Sequence, residues 1–277
     1  MMKEIFVKMH GLGNDFIFFD NLDGRLRLTP DQVRFLCHRH FGIGADGVIT
    51  VCPSDRADLK MEIFNSDGSP AEMCGNGIRC FAIYARDHGL VAGPEMTVET
   101  GAGIIRPRIV GDKVEVDMGE PEFDPEKIPV NLPGEVVDYP VVFEGRKVEI
   151  TCVSMGNPHC VIFFSPEEEL PVLELGPMIE TDPLFPRKTN VEFIRVINDR
   201  EIEFRVWERG AGTTLACGTG SCAAVAAAVR TGRTGRKVLV HLLGGDLNIE
   251  WKENNRIFMT GPAVEVFTGT ISVFGSQ

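Results

Sequence analysis

Cys74-Gly75-Asn76-Gly77 and Cys217-Gly218-Thr219-Gly220 are two copies of one short device, 143 positions apart in a chain of 277 residues. Each sets a thiol just before a stretch that reads as a helix. In the first, Ile78, Phe81, Ala82 and Ala85 recur at helical spacing and Gly89 stands where a C-terminal cap belongs; the second is the Ala-rich run from Ser221 to Thr231, closed by Gly232. The offset recurs elsewhere, with Gly13-Asn14 falling on Gly156-Asn157, Asn65 on Glu208 and Phe16 on His159. A period this long means two tandem copies of one domain and not a solenoid, whose repeats run roughly 20 to 50 residues.

The segments between these devices follow one grammar in both halves. Ile5 to Met9 and Phe16 to Phe19 read as strands around the bend Gly11-Leu12-Gly13-Asn14, and Thr29-Pro30-Asp31 opens a helix with Thr29 as N-cap and Pro30 in its first turn. Val48 to Val51, Leu59 to Phe64, Met96 to Val98, Ile104 to Val110 and Lys113 to Met118 are further strands. In the second half Val148 to Val153, Cys160 to Phe164, Val191 to Ile197, Ile202 to Trp207, Val238 to Leu243, Leu247 to Trp251 and Ile257 to Thr260 repeat the pattern. Pro121, Pro125, Pro129 and Pro133 mark residues 119–134 as the linker. One long helix among many strands in each half predicts an α+β class with two curved sheets, each packed on a helix, and not alternating βαβ units.

Composition excludes several functions. A net charge of −12 is wrong for a nucleic-acid surface, which needs clustered Lys and Arg. No apolar run approaches the roughly 18 residues of a membrane span, and the N-terminus meets Lys8 and His10 before any signal-peptide core, so a cytoplasmic protein with reduced thiols is expected. Gly42-Ile43-Gly44-Ala45-Asp46-Gly47 matches the dinucleotide pattern G-x-G-x-x-G, but a helix precedes it and a strand follows, the reverse of what phosphate binding requires. It reads as a Gly-rich turn, and no cofactor is expected. The spacings Cys74 to Cys80 and Cys217 to Cys222 are too wide for a structural zinc site, so no metal is expected. Cys37, Cys52, Cys80, Cys152, Cys160 and Cys222 read as core cysteines.

Cys74 and Cys217 differ from those six. A thiol at a helix N-terminus meets the positive end of the helix dipole, which is expected to lower its pKa from about 8.5 toward neutrality or below. The glycines beside it let a carboxylate approach the free backbone amides. A thiol hydrolase needs one such cysteine; two equivalent ones suit a nearly symmetric reaction, the inversion of a stereocentre, in which one group takes a proton and another returns one to the opposite face. A silent ligand-binding protein or a thiol redox protein is the alternative from another class.

The long motifs Asn65 to Gly77 and Glu208 to Gly220, with the opening His10-Gly11-Leu12-Gly13-Asn14-Asp15-Phe16, closely resemble the diaminopimelate epimerase family along the whole chain. The resemblance implies a cofactor-independent isomerase that interconverts LL- and meso-2,6-diaminopimelate on the way to lysine and, in many bacteria, peptidoglycan. It also implies two pseudo-symmetric domains, each a strand-rich barrel-like sheet around a central helix. One comprises residues 1–118 with 263–277 and carries Cys74; the other comprises 119–262 and carries Cys217. By the same likeness Cys74 and Cys217 form the acid/base pair, assisted by His159 and Glu208, while Asn14, Asn65, Gly75, Asn76, Asn157, Asn190, Glu208, Arg209, Gly218 and Thr219 contact the substrate. The expected partners are a small molecule and a second copy of the chain, with no nucleic acid and no membrane. Two positions depart from the family pattern: Gly47 stands where some members have a substrate-contacting glutamine, and Phe267 where some have an interface tyrosine. A proline or hydroxyproline racemase is the rival within the enzyme class, and the extended set of Asn, Glu and Arg argues for a substrate with a second polar end.

Overall fold

A computed structural model describes residues 2–273. The chain divides into two compact units, residues 1–116 with 261–277, and residues 117–260. The first unit contains β1 (Met2–Gly11), β2 (Asn14–Asp20), α1 (Pro30–Cys37), β3 (Gly47–Cys52), β4 (Leu59–Asn65), β5 (Pro70–Ala71), α2 (Gly75–Asp87), β6 (Val98–Thr100), β7 (Gly103–Ile105), β8 (Arg108–Val110) and β9 (Lys113–Asp117). The second contains β10 (Tyr139–Phe143), β11 (Arg146–Ser154), β12 (Pro158–Phe164), α3 (Val172–Glu180), β13 (Asn190–Asn198), β14 (Glu201–Glu208), β15 (Gly212–Thr213), α4 (Gly218–Arg230), β16 (Lys237–Leu242), β17 (Gly245–Trp251) and β18 (Ile257–Pro262). The last strand, β19 (Val264–Val273), returns to pair antiparallel with β1.

The internal repeat is structural. The first unit's sheet runs β19-β1-β2-β3-β4-β6-β7 with β5 on β4; among the strands of the second unit the order is β10-β11-β12-β13-β14-β16-β17-β18 with β15 on β14, and β8 pairs antiparallel with β9. α2 and α4 begin and end 143 positions apart. In both units the third strand of this order runs parallel to the fourth across a helix, as β2 to β3 across α1 and β12 to β13 across α3. β4 to β6 and β14 to β16 are parallel in the same way across α2 and α4. These four crossovers are βαβ connections within the expected α+β class and do not alternate through the sheets as in an α/β protein. They escape the strand count because antiparallel partners surround each parallel pair, so the sheets are mixed. None of the pairings described closes either sheet into a barrel.

Burial follows from the sequence pattern. β3, Gly-Val-Ile-Thr-Val-Cys, is buried at all six positions, as a strand covered on both faces must be, while β4 alternates because one face is polar. α2 buries eleven of its thirteen residues, far more than one amphipathic stripe, and is therefore the central helix of its unit. α4 is lined by Ala223, Ala224, Ala226, Ala227 and Ala228, whose short side chains let β11, β12, β13 and β17 pack close around it. Thr29 caps α1 as expected, accepting from Gln32 N while the Gln32 side chain accepts from Thr29 N. All six cysteines assigned to the core are buried.

Besides the two-residue strands β5 and β15 and the returning strand β19, two elements are absent from the sequence reading. β10 lies beyond the proline-rich linker, and α3 carries Pro177 and Gly176 in only nine residues, too few for a clear period. Ile104 to Val110, read as one strand, is split into β7 and β8 by Pro107. No described helix is long and apolar enough to cross a membrane.

Candidate active site

In the first unit Cys74 is the N-cap of α2, with extended backbone (φ −141°, ψ 124°) and no side-chain cap bond. Its Sγ donates to Asn14 Oδ1 at 3.6 Å, and Asn76 Nδ2 donates to the same oxygen at 3.1 Å. Asn14 follows a tight turn in which Leu12 and Gly13 both have positive φ (57° and 86°), the pattern of the hairpin turn that matches strand twist. Asn14 thus opens β2 facing α2. Its Nδ2 donates to Asp46 Oδ2 at 2.8 Å, which fixes the amide, because an ionised carboxylate can only accept.

Asp46 comes from the glycine-rich turn that the sequence presents as featureless. The turn is anchored electrostatically, for Arg39 donates to both Asp15 and Asp46, and Lys8, nearly buried, pairs with Asp15 at 2.6 Å. Burial alone would raise the Asp15 pKa, but the hydrogen bonds and charges of Arg39 and Lys8 outweigh it and hold the carboxyl at about 2. Arg79, fully buried in α2, donates to Gly75 O at 3.1 Å and to Asn76 Oδ1 at 2.9 Å and so ties down the first turn from beneath. Asn65 ends β4 exposed, bonded locally to Ser69 Oγ. Gly47 starts β3 where a Cβ would lie 2.6 Å from Phe64 O, so this backbone has no room for a side chain there.

The second unit carries the counterpart with altered chemistry. Cys217 N-caps α4 (φ −123°, ψ 111°), and its Sγ accepts from Gly220 N at 3.4 Å and lies 3.7 Å from Thr219 Oγ1. Asn157 Nδ2 donates to Thr219 Oγ1 at 3.3 Å, spanning the same 62 residues as the Asn14 to Asn76 bond. Asn157 Oδ1 faces His159 Nε2 at 3.0 Å, and His159 Nδ1 meets Glu192 Oε1 at 2.7 Å. His159 and Glu192 are fully buried, and Glu192 Oε2 has no hydrogen-bond partner. A Cβ on Gly220 would lie 2.9 Å from Glu192 Oε1 and 3.1 Å from Cys217 Sγ, so this glycine admits both groups to the helix terminus.

The expectation that the helix terminus lowers the thiol pKa fails for Cys217. Burial, with the charges of Glu208 and Glu192, pushes it well above the ordinary thiol value, and the bonds from Gly220 and Thr219 only moderate the rise. Desolvation outweighs the helix dipole because Cys217 is 5% exposed. Burial likewise raises Glu192, against the pull of His159.

The remaining residues line the β14 corner. Asn190 donates to Pro158 O at 2.8 Å and accepts from Arg209 N at 2.9 Å. Glu208 accepts from Thr214 Oγ1, and Arg209 donates to Arg187 O at 3.2 Å. The structure therefore joins Cys74, Gly75, Asn76 and Asn14 in one cluster, and Cys217, Gly218, Thr219, Asn157 and His159 in another. Asp46 and Glu192 were missed, since an isolated carboxylate in a turn or a strand carries no pattern. The one available signal was the offset, which sets Glu192 against the apolar Ile49.

The fold is one that solved structures share. A phenazine biosynthesis protein of the PhzF family from Bacillus anthracis matches with a TM-score of 0.70 at 18% identity, covering 99% of this chain and 100% of that one. A hydroxyproline epimerase from Agrobacterium vitis, solved with trans-4-hydroxy-L-proline, matches with a TM-score of 0.69 at 15% identity, covering 97% of this chain and 92% of that one. These likenesses define the class as the two-unit α+β architecture of the PhzF and proline-racemase-like proteins. Within it, the diaminopimelate epimerase profile matches residues 6–123 and 151–266. Diaminopimelate epimerases from Desulfitobacterium hafniense and Moorella thermoacetica are 57% and 56% identical over 274 and 272 residues, covering 96% and 95% of this chain and 97% and 98% of theirs. One from Synechocystis is 52% identical over 275 residues, covering 97% of this chain and 99% of its own. The chain belongs to the diaminopimelate epimerase family.

Proposed function

We propose that this protein is a cofactor-independent epimerase interconverting LL- and meso-2,6-diaminopimelate, with Cys74 and Cys217 as its acid/base pair. The observation that carries the reading is that each thiol N-caps an equivalent helix of a duplicated unit, in a chain of this family. One thiolate removes the α-proton, and the other thiol delivers a proton to the opposite face of the same carbon. The two therefore exchange roles between the forward and reverse directions. The backbone amides of the first turns of α2 and α4, at Gly75, Asn76, Gly218 and Thr219, hold the reacting carboxylate and stabilise charge that develops on it.

Asn14, Asn65, Asn157 and Asn190 supply further polar contacts, and Glu208 and Arg209 take the distal ammonium and carboxylate, Arg209 suiting a bidentate grip. His159 and Glu208 tune the thiols, which fits the rise that Glu208 imposes on Cys217. The protein works in the cytoplasm on a small molecule in lysine biosynthesis. It pairs as a homodimer through the exposed edge strand β19, where Val266 and Phe267 are about half exposed; Phe267 packs there without a hydroxyl to donate.

Exchange of the substrate α-hydrogen in deuterated water tests the reading. Reduced protein should exchange LL- and meso-diaminopimelate, and Cys74→Ala or Cys217→Ala should abolish turnover. Exchange with proline or hydroxyproline in their place would transfer the chain to the rival racemase reading, and exchange with neither would end the epimerase proposal.

A further inference from the structure

The corner that carries Glu208 and Arg209 is held by a residue outside every motif. Glu180, the last residue of α3, is 7% exposed. Its Oε2 accepts from Trp207 Nε1 at 2.7 Å, and its Oε1 accepts from Gly210 N at 3.0 Å and from Lys188 Nζ at 3.4 Å. Trp207 and Gly210 bracket Glu208-Arg209 on either side, so one carboxylate pins both ends of the two-residue corner. α3 is seated hard against the same place, since a Cβ on Gly176 would come within 2.6 Å of the Trp207 side chain.

We propose that Glu180 is a positioning residue that fixes the Glu208-Arg209 corner for the distal end of the substrate, and so sets the specificity for a substrate with a second ammonium and carboxylate. This rests on the epimerase reading above. The clamp belongs to one half of the repeat only. The position 143 residues earlier is Cys37, a thiol packed in its own unit's core, and the matching corner there is uncharged at Asn65 and closes on itself through Asn65 N to Ser69 O and Gly68 N to Asn65 O. The duplicated frame thus acquired its carboxylate clamp where the charged pair stands. Burial would raise the Glu180 pKa, but the bonds from Trp207, Gly210 and Lys188 prevail and lower it, so the group is an acceptor at both oxygens near neutral pH.

Glu180→Gln tests the proposal, because an amide keeps the shape but turns one oxygen into a donor, which must face a donor at Trp207 or at Gly210. Wild-type α-hydrogen exchange is measured first; its absence would count against the epimerase reading and not against Glu180. With exchange established, the variant should raise KM for diaminopimelate about tenfold, the size of one lost hydrogen bond to a charged acceptor, with kcat within about twofold. Trp207→Phe, which keeps the ring against Gly176 but loses the N–H, should shift KM in the same direction by less, and it decides the matter if Glu180→Gln does not fold. Unchanged KM, or a fall in kcat at constant KM, would overturn the proposal.

Discussion

His159 Nδ1 lies 2.7 Å from Glu192 Oε1 with both side chains wholly out of solvent, and the other face of the ring meets Asn157 Oδ1 at 3.0 Å. In the first unit the same place in the repeat holds Phe16 and Ile49. The polar chain that runs from Glu192 through His159 and Asn157 to Thr219, beside Cys217, therefore exists in one half only. The two thiols share a frame and differ in what surrounds them.

A negative charge on Glu192 disfavours the Cys217 thiolate beside it. Glu192→Gln should lower the apparent pKa of Cys217 and speed its alkylation by iodoacetamide at pH 7.5 in a Cys74→Ser background. An unmoved pH profile of alkylation would mean that the thiol does not feel this carboxylate.

Asp15 has a folded pKa of about 2 against an ordinary 3.8. A depressed carboxylate contributes stability that is present above its unfolded pKa and lost as pH falls through the folded one. Asp15→Asn should therefore remove on the order of 2 kcal/mol at neutral pH and flatten the decline in stability between about pH 4 and pH 2. Urea unfolding across that range reads both effects. A parallel acid limb in wild type and variant would contradict the assignment.

Gly47→Ala should destabilise by about 1–3 kcal/mol, since the new Cβ would meet the Phe64 carbonyl at 2.6 Å across the β3–β4 pair. Gly47→Gln should be no better, so the glutamine of other family members cannot be restored here by one substitution. Thermal unfolding of the two variants would settle the point, an unchanged melting temperature refuting it.

Arg79→Met removes the buried donors to Gly75 O and Asn76 Oδ1. We expect a loss of about 1–3 kcal/mol, the size of buried hydrogen bonds from a charged donor, and a weaker hold on Asn76 that appears as a raised KM. Stability by denaturant and steady-state kinetics measure the two separately, and a variant as stable as wild type would show that the first turn of α2 holds itself.

The duplication was legible because identical turn chemistry leaves identical residues. Cys-Gly-x-Gly at a helix start and Gly-Asn at a strand start recur with one spacing, and α2 and α4 stand where that spacing sets them. The strands were legible where one face is polar, as in β4, or where the run is continuously apolar, as in β3. α3 was not, because nine residues with an internal proline show no clear period. β10 and β19 owe their place to partners far away in sequence, β11 and β1.

The amino-acid sequence by itself determined that the protein is a duplicated α+β chain with a thiol at one helix start in each half, since helix capping, turn glycines and hydrophobic period are local properties. Only the tertiary structure decided how those thiols are tuned. Burial raises Cys217 where its helix terminus alone would lower it, Asp46 turns Asn14 toward Cys74, and Glu180 reaches from a short helix to hold the Glu208-Arg209 corner. Desolvation and hydrogen-bond direction depend on groups brought together from distant positions, and no spacing in the chain encodes them.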